Sequence, residues 1–264
     1  RYAASVLLPI VTSKSGLVEK SGDTVTIDIE PTLTTGTVAA ATGAFTPSAP
    51  IPTSVDLALT TWVYVAKEIT NAAERQSFWK TNSWFPKAAA KAMAQRYDLD
   101  IAAEHANVLA ANVIASASPE IFDDSSARKG MLLLRDLDVP MENLTFVLPP
   151  TAIYNGWYSK EVLSAAHSSG FQKNLNYSGD MPPILAVPVR VSTQIATATV
   201  NGISTRKGLL LHKEAIAIGL QINHQYKLID RASALLLSEA GVVNSLFGIK
   251  TIRSNHFCVF NIIA

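Results

Sequence analysis

Alternating apolar and polar positions predict two strands in the first quarter of the chain. In DTVTIDIE, Val25, Ile27 and Ile29 point to one face, and the polar residues between them point to the other. In SVDLALTTWVYVAKE, the odd positions 55 to 65 share one face. From Trp62 onward the even positions are apolar as well, which predicts that this end of the strand is buried on both faces.

The connection between these strands, PTLTTGTVAAATGAFTPSAPIP, is long and rich in Thr, Ala, Pro and Gly. Connections of this length are uncommon in compact domains and usually carry a function or lack structure. The two strands and their connection therefore predict a long hairpin that projects from the body. Residues 1–17 before it are predicted to be an extended segment with one apolar patch.

A helical period predicts a long helix from Pro86 to Ser116. The segment is dominated by good helix formers, and its one proline stands at the front, where the missing N–H costs little. A helix of this length spans about 45 Å. One row is apolar and the opposite side carries charge, so we expect a long helix against which the other elements pack. The apolar row consists of Met93, Tyr97, Ile101 and Val108.

The middle of the chain predicts an α/β domain with its own core. SSARKGMLLLRDLDVP predicts a helix capped by Ser125 or Ser126, and LTFVLPP a short buried strand. TAIYNGWYSKEVLSAAH predicts a second helix, capped by Thr151. LAVPVRVS, GLLLH and AIAIGLQI predict further strands, and the end of the chain is strand-like, with turn signals at Gly241 and Gly248.

Composition restricts the class of protein. The 264 residues are 48% hydrophobic and 16% charged, with a net charge of +1, which favours large surfaces buried against other chains and argues against a dedicated nucleic-acid binder. No apolar run reaches membrane-spanning length, and we expect no signal peptide. Because the first residue is Arg1, we expect that residues were removed upstream. Cys258 stands alone, which excludes an intrachain disulfide and suits a reducing compartment.

Several residues invite a chemical interpretation. Asp98, Asp100, Glu104 and His105 cluster on the long helix, but Glu104 and His105 are adjacent and diverge by about 100° around it, so a charged face is favoured over a metal site. The five histidines lack ligand spacing, and nucleophile-elbow, phosphate-loop and dinucleotide motifs are absent. The sequence thus predicts no catalytic residue, no cofactor and no metal.

The order of these parts is itself a signature. It resembles the major capsid proteins of tailed bacteriophages, the HK-ninety-seven-like fold that encapsulins share. Family-like segments are GDTVTIDI, VAKEIT, VPMENLTFVLPP, ILAVPVRVS, GLLLHKEAIAI and LFGIKTIR. The resemblance implies an α+β fold with an N-terminal arm (1–17), an extended hairpin or E-loop (18–70), a peripheral domain with a spine helix (71–118), an α/β axial domain (119–229) and strands returning to the peripheral domain (230–264).

The resemblance implies a structural rather than enzymatic role. Pentamers and hexamers of the chain would form an icosahedral or prolate head around double-stranded DNA, contacted non-specifically, with a portal and scaffolding or decoration proteins as further partners and no membrane. Such heads assemble in the host bacterial cytoplasm and end in the virion. Positions 32–54 contain no lysine, so hairpin cross-linking is not expected. An encapsulin-type compartment and an enzyme with a site in the middle domain are the alternatives.

The hairpin supplies the residues expected to touch a neighbouring subunit. If it lies over a neighbour as an arm, its apolar side chains stabilise the assembly. The predicted contact residues are Val25, Ile27, Ile29, Phe45, Val55 and Leu57.

Overall fold

A computed structural model of the chain describes residues 5–18, 24–31, 35, 37–38, 52–70, 81–157, 183–230 and 238–263. Within these ranges helices and strands are mixed along the chain, which confirms the α+β class. The helices are α1 (Thr81–Ala103) and α2 (Asp124–Asp136). The strands are β1 (Thr12–Ser13), β2 (Thr24–Ile29), β3 (Thr53–Ala58), β4 (Thr61–Thr70), β5 (Val113–Ile114), β6 (Leu144–Leu148), β7 (Val189–Val191), β8 (Thr197–Val200), β9 (Ile203–His212), β10 (Ile216–Asp230), β11 (Ser238–Thr251) and β12 (Phe257–Ile263).

The first sheet has the strand order β1-β10-β11-β4. Strand β1 runs parallel to β10, and the other pairs are antiparallel. The turns predicted at Gly241 and Gly248 are wrong, because both glycines pair with β10 inside the long strand β11. The chain instead turns at Ser254 and Asn255, just before β12.

The hairpin consists of β2 and β3, paired antiparallel with Val25 opposite Leu57. The alternation predicted for β2 is confirmed, since Val25 and Ile27 are buried and Thr24, Thr26 and Asp28 are exposed. The single strand predicted over 54–68 is wrong. It is two strands, because the chain leaves the hairpin at positions 59 and 60 and enters the first sheet as β4.

The second sheet has the order β5-β12-β9-β6-β7, and β8 pairs with β9. Strand β9 lies at its centre, and Leu209, Leu210 and Leu211 expose no surface. Leu210 contributes to one core and its two neighbours to another. We name these cores the α2 cluster, which includes Phe122, Leu134, Phe146, Leu210, Cys258 and Phe260, and the α1 cluster, which includes Leu7, Tyr97, Ile101, Leu209, Leu211 and Phe247.

Segment 230–264, predicted to return to the peripheral domain, divides between the two sheets. Strand β11 lies between β10 and β4 in the first sheet, whereas β12 lies between β5 and β9 in the second. The domain boundaries themselves stay a prediction.

Helix α1 carries a buried row at four-residue spacing, formed by Phe85, Ala89, Met93, Tyr97 and Ile101. The hydroxyl of Tyr97 donates to Ser245 Oγ at 2.6 Å, and Ser245 in turn donates to the carbonyl of Ile222 at 2.8 Å. This chain of hydrogen bonds joins the helix to β11 and β10. The long helix that the sequence predicted is therefore present, although its bounds differ.

Helix α1 begins five residues before Pro86 and ends at Ala103, whereas Ser116 was the predicted end. Beyond Ala103 come a 3-10 turn, Glu104–Asn107, and an extended Val108. The Leu109 amide donates to the Ser254 carbonyl at 3.0 Å, and the Asn112 side chain donates to the Phe257 carbonyl at 3.1 Å. These contacts place β5 beside β12, so tertiary hydrogen bonds override the helical tendency here.

Helix α2 is capped by Asp123, whose carboxylate accepts from the Ser126 amide at 2.9 Å. The predicted caps Ser125 and Ser126 lie inside the helix instead. The strand predicted in LTFVLPP is confirmed as β6, which is buried throughout. After Thr151 the chain forms a short π-helical turn, Ala152–Trp157, and the rest of the predicted helix lies outside the described residues.

Residues 1–17 were predicted to be extended. Their described part, 5–17, forms two 3-10 turns and β1 instead. Leu7 and Val11 are buried in the α1 cluster, so this segment is packed on the body.

Candidate assembly surfaces

The carboxylate of Asp98, part of the acidic cluster on the long helix, is buried and holds the N-terminal segment. It accepts hydrogen bonds from the amides of Val6 at 3.0 Å and Leu7 at 2.9 Å, and from the Ser5 hydroxyl. A buried carboxylate is stable only when its oxygens are bonded in this way. Asp98 thus anchors the start of the chain to α1.

The other members of that cluster bond to different parts of the chain. Glu104 Oε2 accepts from the amide and the hydroxyl of Thr251, at 2.9 and 2.7 Å. Asp100 pairs with Arg96 at 2.9 Å, and His105 Nδ1 lies 3.0 Å from the carbonyl of Ala102. Across the described ranges, no three His, Cys, Asp or Glu side chains converge to hold a metal ion.

His212 and His256, which sequence reasoning treated as scattered, form a buried pair with ring centroids 5.7 Å apart. Burial lowers the pKa of both, and Arg253 and the His212 ring lower that of His256 further, to about 4, against an opposing effect of Glu214. Both rings are therefore neutral at pH 7. They meet because β9 ends where β12 begins: the His212 amide donates to the carbonyl of His256 at 3.1 Å.

Three of the predicted contact residues are buried within the chain itself. Val25, Ile27 and Leu57 are 7%, 5% and 0% exposed and pack with Leu59 and Ala217 in what we name the hairpin cluster. Their side chains leave little surface for a neighbour.

The remaining predicted contact residues are placed differently. Ile29 and Val55 are half-buried on the hairpin. Phe45 lies outside the described residues. Whether these six residues contact another subunit stays a prediction.

The face of the first sheet opposite α1 exposes two aromatic side chains at the end of the sheet that the hairpin does not cover. Val63, Val65 and Val243 pack against α1, so the alternate residues Trp62 and Tyr64 point to the other side. There Trp62 is 68% exposed and Tyr64 is 72% exposed. The prediction that this end of the strand is buried on both faces is wrong for the single chain.

The open face extends across the sheet. Trp62 pairs with Leu246, which pairs with Ile222, and both partners are half-buried. We name the patch formed by Ile222, Trp62, Tyr64, Val242 and Leu246 the open sheet face. Two aromatic rings exposed side by side on one face of a sheet are unusual for a monomer and are typical of an interaction surface. Apolar even positions in WVYVA were the signal, which sequence reasoning assigned to the chain's own core.

A groove of about 780 Å³ lies along α2 and contains the exposed leucines Leu132 and Leu185. Leu185 and Ala186 form a two-residue turn with φ of +50° and +66°, closed by two hydrogen bonds of 2.9 Å between Ile184 and Val187. Such turns favour Asn-Gly, so the conformation is costly for Leu-Ala and is held by the buried residues on either side.

Comparison with solved structures gives the fold. A structure from Mycobacterium phage Che8 is 19% identical, with a TM-score of 0.74 over 99% of this chain and 93% of that chain. The capsid of Ralstonia phage GP4 is 10% identical, with a TM-score of 0.74 over 97% and 87%. The capsid of cyanophage P-SCSP1u is 13% identical, with a TM-score of 0.70 over 96% and 86%. The chain has the HK-ninety-seven-like fold.

At sequence identities of 10–19%, structural similarity shows a shared fold. The similarity extends over nearly the whole chain. No protein-family profile and no curated protein matches the sequence. Among the described helices, none combines the length and the apolar character needed to cross a bilayer. Within the described residues, the open sheet face and the α2 groove are two surfaces that expose large apolar side chains.

Proposed function

We propose that the chain is the major capsid protein of a tailed phage, a structural, non-enzymatic subunit that assembles as pentamers and hexamers into a closed head around double-stranded DNA. One observation supports this above all: the similarity to phage capsid chains over 96–97% of this chain, with TM-scores of 0.70 and 0.74. Assembly in the host cytoplasm, a portal, and scaffolding or decoration proteins belong to the same proposal.

In this proposal the hairpin is the E-loop and α1 is the spine helix. The hairpin cluster fixes β2 and β3 to the body of their own subunit. Contacts between subunits then fall to surfaces that one chain leaves uncovered. The open sheet face is one such surface, and a neighbour's extended hairpin is the element we expect to cover it.

Low overall charge fits a container for DNA. With a net charge of +1, the chain has no excess of lysine and arginine to hold phosphates through counterion release. A packaged genome is then retained by the closed shell and not by tight binding. The alternative, an encapsulin-type shell, shares the fold and differs in what it encloses.

The experiment is sedimentation velocity and negative-stain microscopy of the purified chain, alone and with the product of any neighbouring scaffold gene. Closed particles of uniform size are expected. A monomer or dimer that persists at every concentration, scaffold included, would contradict the proposal. Particles isolated from producing cells that hold protein cargo and no double-stranded DNA would favour the encapsulin-type shell.

A further inference from the structure

The hairpin crosses the first sheet at two glycines, on the face of the sheet opposite α1. Gly219 of β10 and Gly248 of β11 are paired directly across the ladder. Their neighbours Ile218 and Phe247 belong to the α1 cluster, so both glycines face away from α1. Above them pass residues 57–59, at the root of the hairpin.

The hairpin approaches too closely for any side chain at Gly248. A Cβ there would lie 2.1 Å from the carbonyl oxygen of Ala58 and 3.0 Å from its carbonyl carbon. At Gly219 a Cβ would lie 2.9 Å from Leu59 and 3.1 Å from Leu57, in both cases from the end of a flexible side chain. The obstruction is therefore rigid at Gly248 and yielding at Gly219.

Neither glycine is needed for its backbone conformation, because neither has a positive φ. A glycine inside a strand costs about 0.5–1 kcal/mol relative to alanine, and it is expected where another backbone approaches closely. The space above the sheet is thus the reason for both residues.

The contact is tight at the root and looser at the far end. Leu57 and Leu59 are almost fully buried over Ala217 at the root. At the far end a cleft of about 310 Å³ separates residues 27–30 from Lys14, Glu214 and Arg253. The position of the root therefore decides the direction in which β2 and β3 run, and any displacement there is carried along strands about 20 Å long.

We propose that Gly219 and Gly248 form a saddle that sets the angle at which the hairpin leaves the body. The saddle works within one chain. Its consequence for assembly rests on the proposed function. Heterologous contacts between subunits form a closed ring only when each subunit is rotated by one particular angle relative to the next. The hairpin must therefore leave each subunit at the angle that allows this rotation.

The test compares Gly248→Ala with Gly16→Ala, whose Cβ would meet nothing within 4 Å. Spin labels on Ser54→Cys, at the far end of β3, and Lys91→Cys, on α1, report the hairpin angle as an electron–electron distance. Both positions are exposed, and the native Cys258 is buried, so it stays unlabelled. Circular dichroism checks folding, and sedimentation checks assembly.

We expect Gly248→Ala to shift or broaden the distance distribution and to lower particle yield, while Gly16→Ala matches the wild type. An unchanged distribution in folded Gly248→Ala would overturn the saddle. If Gly248→Ala does not fold, Gly219→Ala serves as the test variant. It should shift the spin-label distance by a smaller amount, and Leu59→Val in the same chain should restore the wild-type distance. A wild type that never assembles would refute the proposed function. The spin-label distances would still test the saddle, because they are measured within one chain.

Discussion

Asp98 and Glu104 lie on or just after the same helix, and each carboxylate holds a different part of the chain. Asp98 accepts hydrogen bonds from the amides of Val6 and Leu7, and Glu104 accepts them from the amide and hydroxyl of Thr251. Hydrogen bonds to a charged acceptor are stronger than neutral ones. At the scale of residues, acidic groups that resemble a metal site thus join the N-terminal segment and the end of β11 to α1.

Cys258 should be inert while the chain is folded. Its side chain is fully buried in the α2 cluster, 3.7 Å from the Gly130 carbonyl, and burial raises the pKa of the thiol to about 12. Because the thiolate is the reactive form, iodoacetamide should modify Cys258 only after denaturation. Cys258→Ala should cost about 1 kcal/mol and leave assembly intact. Rapid alkylation of the native chain, measured by mass spectrometry, would contradict this.

The histidine pair should make stability depend on pH. An unfolded histidine binds its proton near pH 6.5, whereas the pKa of folded His256 is about 4. Between these values the unfolded chain binds more protons, so the free energy of unfolding is highest above pH 6.5 and falls as the pH drops. We expect His256 to contribute a loss on the order of 3 kcal/mol by pH 4.

The measurement is urea unfolding of wild type and His256→Gln from pH 7 to pH 4. Carboxylates titrate in the same range, so the difference between the two proteins is the relevant quantity. The variant should lose less stability than the wild type over this interval. His105→Gln, at a half-buried histidine outside the pair, is the control and should follow the wild type. Parallel curves for His256→Gln and wild type would disprove the role of the pair.

At the scale of elements, what each strand or helix packs against decides how much a substitution costs. Ile101 is fully buried in the α1 cluster, where α1, both sheets and the N-terminal segment meet. Ile27 is 5% exposed, but its cluster consists of the hairpin and Ala217, with Val18 and Ile252 at its edge. The two isoleucines are equally apolar, but Ile101 packs within a large core and Ile27 within a small cluster.

We therefore expect Ile101→Asp to unfold the subunit and Ile27→Asp to release the hairpin from the body. A buried aspartate without a partner costs several kcal/mol, and in the hairpin this cost is avoided by local detachment. Circular dichroism should show loss of helix for Ile101→Asp alone. Hydrogen exchange should show faster exchange confined to β2 and β3 for Ile27→Asp. Equal loss of helix in both variants would show that the hairpin belongs to the central core.

The sequence predicted those elements whose apolar residues recur with the period of the element's own backbone. The period of two in β2 and the apolar row of α1 are of this kind. The end of α1 was missed because hydrogen bonds to the carbonyls of Ser254 and Phe257, far along the chain, draw residues 109–114 away from the helix. The His212–His256 pair was missed for the same reason, since no spacing rule joins positions that only the sheet brings together.

At the scale of the whole molecule, the described residues expose two neighbouring aromatic rings, Trp62 and Tyr64, on one side of the first sheet. Trp62 and Tyr64 should matter for assembly and hardly at all for folding. Replacing both by Ser removes roughly 3 kcal/mol of burial per subunit if a neighbour covers them. That loss raises the concentration needed for assembly by about a hundredfold. Stability of the free subunit should change by only about 0.5 kcal/mol, as is usual at exposed positions.

Light scattering against protein concentration measures this effect, with Tyr154→Ser as the control. Tyr154 is 70% exposed and lies in the π-helical turn Ala152–Trp157, whose buried side chains belong to the α2 cluster. The control should assemble at the wild-type concentration. Normal assembly of the Trp62, Tyr64 double variant would show that the open sheet face is not an inter-subunit contact.

Strands β9 and β12 give the subunit its mechanical character. Along β12, Phe257 and Val259 point into one core and Cys258 and Phe260 into the other. Each core is therefore bounded by the same two strands, and no soft plane runs between them. A load applied at one edge of the subunit passes to the far edge through covalent backbone and ladder hydrogen bonds. The part of the chain that holds these two cores should consequently deform as one stiff plate. In the proposed assembly, curvature would then arise at the contacts between such plates.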